Sequence, residues 1–319
     1  MTAFEDAAER YRRELFAYCY RMLGSPHDAD DAVQETYLRA WRAFDAFQGR
    51  SSVRTWLYRI ATRVCLRAIE GRARRALPSG LGGPAADPAG TIDPRNVEIP
   101  WVEPVSATEL DPAMAAEAHH GIRLAFVAAL QHLPGRQRAV LILRDVLMFH
   151  ADEAADLLDS STAAVNSALQ RARRQLARTA PDGYDLTEPA DPVRRTLLDR
   201  YAVAFENADI DELLRILAAD AVLEMPPIPT WFRGREQVAA FLRRRLTRPG
   251  RRLLPTTANG QPAFGLYVAG HGGVPRAHAL QLLTLGPNGI ARIDMVHDPL
   301  LFPRFGLPHL ASIEEKTCI

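Results

Sequence analysis

Lysine is almost missing from this chain. Of its 39 basic residues, Lys316 is the single lysine and the rest are arginines. A guanidinium makes planar, bidentate contacts with phosphate and guanine that an ammonium does not, although a genome biased toward Arg, Ala and Pro codons gives the same composition. Cysteine is scarce: Cys19, Cys65 and Cys318 lie far apart and form no CxxC pair. That excludes a disulfide framework and a zinc site and points to a reducing compartment. Cys19 and Cys65 sit among apolar helical positions, as small core residues do. Excess charge of one sign is lacking too. The net charge is +1, so any nucleic-acid surface must be local. No apolar run approaches the roughly 20 residues of a membrane span. The opening MTAFEDAAERYRRELF is charged from Glu5 and has no apolar signal region. The expected location is cytoplasmic, without a membrane partner.

What remains is ordinary for a globular protein: 319 residues, 47% hydrophobic and 24% charged, enough for two or three domains. Residues 1–77 make a first domain, read as helices from residue 4. Leu15, Phe16, Cys19, Tyr20 and Leu23 recur at helical spacing, and Gly24-Ser25-Pro26 breaks the pattern. A second helix is predicted from about His27 to Phe44 and a third from Val53 to Arg75. Residues 78–112 are rich in Pro and Gly and read as a linker, with Trp101 suggesting that part of it packs on something. Residues 113–179 are helical again, over about 113–131, 135–147, 151–158 and 162–177. A shorter linker spans 180–192. Residues 193–319 switch to α+β: two helices, then strand-like runs at Ala221–Met225, Ala263–Val268, Arg276–Leu285 and Gly289–Val296, with a hairpin signal at Gly286-Pro287-Asn288-Gly289.

The strongest motif is HADEAADLLDSSTAAVNSALQRARRQLA. Ala154, Ala155 and Leu158 face inward on a first short helix, Asp159-Ser160-Ser161 turns the chain, and Ser161 caps a second helix buried through Val165, Ala168, Leu169 and Ala172. This is the spacing of a DNA-binding helix-turn-helix. Thr162, Ala163, Asn166 and Ser167 are short groups suited to base edges. Arg171, Arg174 and Arg178 share a face suited to phosphates. Taken alone, the segment also fits a plain helical hairpin with a solvated arginine face.

The N-terminal helices carry opposite charges. Asp28, Asp31 and Glu35 share a face of the second helix. Acid at a helix start complements the dipole, but Asp31 and Glu35 lie further in and suit a basic protein partner. On the third, Arg59, Arg63 and Arg67 form a stripe next to Arg50, Arg54, Trp56 and Tyr58. Arginines interleaved with aromatics suit single-stranded DNA; a core Trp56 and Ile60 under solvated arginines is the plainer alternative.

In order along the chain, DADDAVQETYLRAWRAF, FQGRSSVRTWLYRIATRVCLRAI, LPGRQRAVLILRDV and HADEAADLLDSSTAAVNSALQRARRQL resemble the extracytoplasmic-function (ECF) sigma factors of the sigma-70 superfamily over about residues 4–178. The resemblance implies two all-α sigma domains, the second with the helix-turn-helix, and core RNA polymerase and promoter DNA as partners. It implies that Asp31, Gln34 and Glu35 dock on the β′ clamp helices. Arg50, Ser51, Arg54, Trp56, Arg59 and Arg63 would read the unpaired −10 element. Leu133 to Val146 would lean on the β flap, and Thr162, Ala163, Asn166, Ser167, Arg171 and Arg174 would read the −35 duplex. Family members often carry Asn where this chain has Arg63, so the family's −10 base preference is not carried over.

Residues 193–308 resemble the SnoaL-like group, cone-shaped α+β barrels, through LLDRYAVAFENADIDELLRILAADAVLEMPP, WFRGREQVAAFLRRRL and TTANGQPAFGLY. Such barrels enclose a pocket, for which Met225, Trp231, Asn259, Gln261, Tyr267, His278 and His297 are candidates. His278, Asp294 and His297 supply acid–base groups, yet no nucleophile–base pair or metal spacing accompanies them. No catalytic residue, metal or cofactor is therefore assigned. The expected role of this domain is regulation of the sigma factor by packing on its other domains or on the linker, with a small ligand as a candidate to bias that packing. Two other functions remain open: a standalone helix-turn-helix regulator, which leaves Asp31, Gln34, Glu35 and Trp56 without a use, and a cyclase- or isomerase-like enzyme.

Overall fold

The computed structural model describes residues 3–49, 51–90, 92, 99–110, 122–179, 191–247, 249–270 and 274–310, with side chains from Glu9 onward. It divides into two compact units. One comprises residues 1–76 and 100–181, the other 77–99 and 182–319.

The first unit is helical. α1 (Ala3–Leu23) and α2 (Pro26–Ala43) form a hairpin around Gly24, and the Ser25 side chain accepts from the Asp28 amide to start α2. α3 (Val53–Ile69) is capped in the same way by Ser52 and ends before the predicted Arg75. Tyr18, Cys19, Tyr58 and Cys65 are fully buried where α1 meets α3, and the Tyr18 hydroxyl shares a 2.7 Å hydrogen bond with Thr62. Burial raises the Tyr18 pKa, and a hydrogen bond with Cys65, followed by burial, raises that of Cys19, which keeps both groups neutral. α4 (Leu124–Leu130) and α5 (Gly135–Leu141) follow, and α5 runs into a π-helical turn, Ile142–Val146. α6 (Ala151–Leu157) and α7 (Thr162–Thr179) complete the unit.

Residues 100–106 are stitched to the first hairpin. Val102 N–H donates to Ala76 C=O at 3.0 Å, Glu103 N–H to Gly24 C=O at 3.0 Å, and Arg75 donates to Glu103 at 2.8 Å. The Trp101 neighbourhood is thus ordered packing, as that residue suggests in the sequence.

The second unit opens with α8 (Asp191–Asn207) and α9 (Ile210–Ile216). β1 (Leu217–Met225), β2 (Ile228–Arg233), α10 (Arg235–Arg245), β3 (Arg251–Ala258), β4 (Gln261–Ala269), β5 (Pro275–Gly286) and β6 (Gly289–Val296) follow. The strands make one sheet in the order β2-β1-β6-β5-β4-β3, antiparallel except for β1 beside β6. The Gly286–Gly289 hairpin forms as its sequence predicts. Gly289 has φ 117°, and a Cβ there would meet the Ile216 carbonyl oxygen at 2.3 Å, so only glycine fits. Tyr201 and Phe205 of α8, Leu213 of α9, Phe241 of α10 and Leu283 of β5 share one core with the sheet.

β2 and β3 are absent from the sequence prediction. Both are short strands carrying proline and arginine, and their partly exposed residues blur the alternation of period two.

Candidate functional site

On α2, Asp31 and Gln34 are exposed and Glu35 is half-buried. Asp31 pairs with His27 at 3.4 Å and Glu35 with Arg39 at 2.6 Å, each one turn away on the same helix. The Asp31 carboxylate helps raise the His27 pKa, second to a backbone hydrogen bond. The same face carries two residues that sequence reasoning missed, Leu38 (51% exposed) and Trp41 (65% exposed). With Gln34 they fall at i, i+4 and i+7, opposite the buried Ala29, Val33, Thr36 and Ala40. Two large apolar side chains are thus left in water beside acids on this face.

Between α2 and α3 runs a surface groove of about 560 Å³, lined by Glu35, Arg39, Arg42, Trp56, Arg63 and Arg67. Trp56 is half-buried, with its ring 4.8 Å from Phe47 and 6.3 Å from Phe44. It forms a wall of the groove and is not a core residue, whereas Leu57 and Tyr58 beside it are buried. Ser51 is half-buried and precedes the capping Ser52; Arg50 lies outside the described residues.

Arg54, Arg59 and Arg63 do not form one free basic face. Arg54 Nε donates to Glu14 at 2.6 Å, and its guanidinium sits 5.2 Å over Tyr58 and 4.8 Å over Phe149. Tyr58 and Phe149 meet edge-on at 5.3 Å. Arg63 donates to Asp159, in the helix-turn-helix turn, at 2.6 Å. That bond is the main cause of the lowered Asp159 pKa. Arg59 is half-buried. Phe149 and Asp159, both from the second helical segment, thus contact the arginines of the candidate site. Nothing in their local pattern marks them, because these contacts are made to residues more than 90 positions away in sequence.

The helix-turn-helix is built as its sequence predicts, except that Ala168 is only half-buried. Ala154, Ala155, Leu158, Val165, Leu169 and Ala172 are buried, and Ser161 Oγ accepts from the Ala164 amide at 3.2 Å. Thr162, Ala163, Asn166, Ser167, Arg171 and Arg174 are all exposed on α7. Arg173 is tied by two bonds to Asp145, at 2.9 and 2.7 Å, and Arg178 bonds Gln175. Arg171 and Arg174 have no polar partner among the described residues. At the start of this segment Arg138 is buried. It donates to Gln131 Oε1 at 2.5 Å, to the carbonyls of Gln131 and Leu133, and to the Met22 carbonyl of α1.

In the second unit a cavity of about 370 Å³ opens between sheet and helices. Of the seven residues predicted for a pocket, Met225, His278 and His297 line it and four do not. Tyr267 lies between the lining residues Leu266 and Val268, so strand alternation turns it to the opposite face, where its hydroxyl donates to Pro308 C=O at 2.7 Å. Gln261 donates to Thr284 at 2.8 Å, and Asn259 sits in the β3–β4 turn at φ 54°. Trp231 donates its ring N–H to Gly82 C=O at 2.9 Å, and its own carbonyl accepts from Ala85 N–H at 2.8 Å. It pins the 77–99 segment to β2.

The His278 and His297 rings are 5.1 Å apart. Partial burial lowers both pKa values, that of His297 to about 4. Asp294, between the lining residue Met295 and Ile293, points away from the cavity. It is buried with Arg292 (2.9 Å) and Glu224, and burial raises its pKa. The proposed acid–base trio is thus split between two faces of the sheet. No group of His, Cys, Asp and Glu with metal-ligand geometry occurs among the described residues, and none of their helices is long and apolar enough to cross a membrane.

Comparison with known proteins agrees with this division. Sigma-70 region 2 matches residues 7–75, Sigma-70 region 4 matches 123–176 and a SnoaL-like domain matches 198–285. The chain is 48% identical over 312 residues to the ECF RNA polymerase sigma factor SigG of Mycobacterium tuberculosis, covering 96% of this chain and 84% of SigG. It is 28% identical over 283 residues to SigJ of the same organism, covering 85% of this chain and 83% of SigJ. The crystal structure of M. tuberculosis SigJ superimposes with a TM-score of 0.66 at 23% identity, over 95% of this chain and 99% of that one, and so shares the fold.

Proposed function

The chain belongs to the ECF RNA polymerase sigma factors, with a C-terminal SnoaL-like domain, and from that membership we propose how its surfaces divide the work of promoter recognition. The α2 face of Asp31, Gln34, Glu35, Leu38 and Trp41 docks on the β′ clamp helices, its apolar stripe being covered by polymerase. The segment Leu133 to Val146 leans on the β flap. The aromatic–arginine groove around Trp56 takes unpaired −10 bases on its ring faces and phosphates on Arg39, Arg42 and Arg67. On α7, Asn166 and its short neighbours read −35 base edges while Arg171 and Arg174 hold phosphates. The protein makes and breaks no bonds, and it works beside polymerase in the cytoplasm.

The observation that carries this reading is the clasp from Arg54 to Phe149 and from Arg63 to Asp159, which holds the groove against the helix-turn-helix. Elements at −10 and −35 are about 25 base pairs apart, roughly 85 Å of duplex at 3.4 Å per pair. The clasped form therefore cannot serve both at once. Docking on polymerase has to part the two helical segments and release Arg54 and Arg63 for the −10 strand. The C-terminal domain then acts on how readily this happens, through the 77–99 segment that belongs to its unit.

Run-off transcription with purified core polymerase, comparing the full chain with a truncation at Thr179, tests the reading. Promoter-dependent transcripts are expected, and a change in yield on truncation gives the sign of the C-terminal domain's control. Absence of both core binding and transcripts across a promoter library would overturn it. Equal yields from the two chains would remove the regulatory role alone.

A further inference from the structure

The C-terminal cavity has a chemical bias that its fold does not require. Its body is apolar: Phe205, Met225, Phe241, Leu266 and Met295. Among the described residues its polar lining is basic or imidazole, namely Arg245, Arg251, His278 and His297, with no carboxylate among them. The two arginines adjoin, since Arg251 Nη2 donates to the Arg245 carbonyl at 2.6 Å, and Arg245 stacks on Phe241 at 5.4 Å. One further wall is not barrel at all. It is Ile92, from the 77–99 segment that Trp231 pins to β2.

We propose that this cavity binds an amphipathic monocarboxylate, its carboxylate held at the Arg245–Arg251 rim and its apolar body packed against Phe205, Met225 and Ile92. Two permanent cations with no acid among the described lining residues favour an anionic head, and charge-assisted bonds from arginine to carboxylate are the strong kind. An apolar floor excludes a second charge, because burying one without a partner is costly. About 370 Å³ equals the space of roughly a dozen waters, which fits a body of about ten to fifteen non-hydrogen atoms. The two imidazoles stay neutral near pH 7 and so add donors without competing for charge. Because Ile92 is a wall, an occupant touches the very segment that joins the two helical portions of the chain, and its presence is felt there. This inference is independent of the promoter reading, since it is read by binding alone.

Isothermal titration of the full-length protein with octanoate and with 1-octanol tests it. Octanoate should bind, 1-octanol about tenfold more weakly. Combining Arg245→Gln with Arg251→Gln should bring octanoate down to the level of the alcohol while leaving 1-octanol unchanged. Met225→Trp, which fills the cavity, should abolish both, with circular dichroism reporting an intact fold. Ile92→Ala should weaken both about tenfold through lost apolar contact. Equal affinities for acid and alcohol would overturn the anion assignment. No binding of octanoate at millimolar concentration, or binding that survives Met225→Trp in a folded protein, would overturn the site. Unchanged affinity in Ile92→Ala would remove the segment from it.

Discussion

On α7 the exposed residues divide by reach and charge. Arg171 is exposed and unpartnered among the described residues, whereas Arg173 is held by Asp145. Arg171→Ala should weaken promoter binding by the polymerase complex across all sequences and lower the salt slope by about one, as measured by binding against salt concentration. Asn166→Ala should instead change the preferred −35 bases. A change in base preference from Arg171→Ala with an unaltered salt slope would make Arg171 a base reader.

In the C-terminal unit Arg292 is buried between Glu224 and Asp294. Removing it leaves two carboxylates uncompensated, so Arg292→Met should lower stability by about 3–5 kcal/mol in urea unfolding. Replacing all three by apolar residues of similar size should cost much less. His297 behaves oppositely to a paired histidine. Its folded pKa of about 4 lies below the ordinary 6.5, so the unfolded chain takes up the proton first. Its contribution is whole above pH 6.5 and falls away as pH drops toward 4. His297→Gln should remove that part of the acid sensitivity, seen as a shallower loss of unfolding free energy between those pH values.

Among elements, the α2 stripe and the clasp set the strongest expectations. Trp41→Ala removes a large exposed ring with no core role. Thermal stability should hold within about 0.5 kcal/mol while affinity for core polymerase falls about tenfold or more. The clasp joins α3 to the segment leading into α6. Beyond the burial of Phe149 itself, its pairwise contacts are individually modest: about 0.5–1.5 kcal/mol for the Tyr58–Phe149 pair, up to about 1 for Arg54 over Phe149 and less for the exposed Arg63–Asp159 pair. Phe149→Ala should therefore favour the parted form and raise run-off yield at limiting polymerase about two- to tenfold. An unchanged or lower yield would mean that the buried bonds from Arg138 and Gln131 to α1 set the opening cost instead.

For the whole molecule, the chain order and the spatial grouping differ. Residues 77–99 lie in sequence between two helical stretches, yet they belong to the C-terminal unit, held by the Trp231–Gly82 and Ala85–Trp231 hydrogen bonds. Weakening that hold gives a test of control by connection. Trp231→Phe deletes one hydrogen bond and keeps the ring. If the segment transmits the C-terminal domain's influence, the difference in transcription between this variant and the Thr179 truncation should shrink.

The sequence by itself determined the local features. These are the helices, the Ser161 cap, the helix-turn-helix with its buried and exposed faces, the β5–β6 hairpin turn, and the family to which the chain belongs. The local features rest on periodicity or spacing within a few residues, and the family on the resemblance of motifs spread over about residues 4–178. Tertiary structure alone decided the rest. Strand alternation sent Tyr267 and Asp294 away from the cavity that His278 and His297 line, because a one-residue difference in phase reverses the face. Long-range packing drew Arg63 out of its basic stripe, and Arg54 from beside it, into the clasp, and brought Ile92 to a cavity wall more than a hundred residues from the rest of its lining. Contacts between distant segments leave no periodic trace in either one, so only the folded chain reveals them.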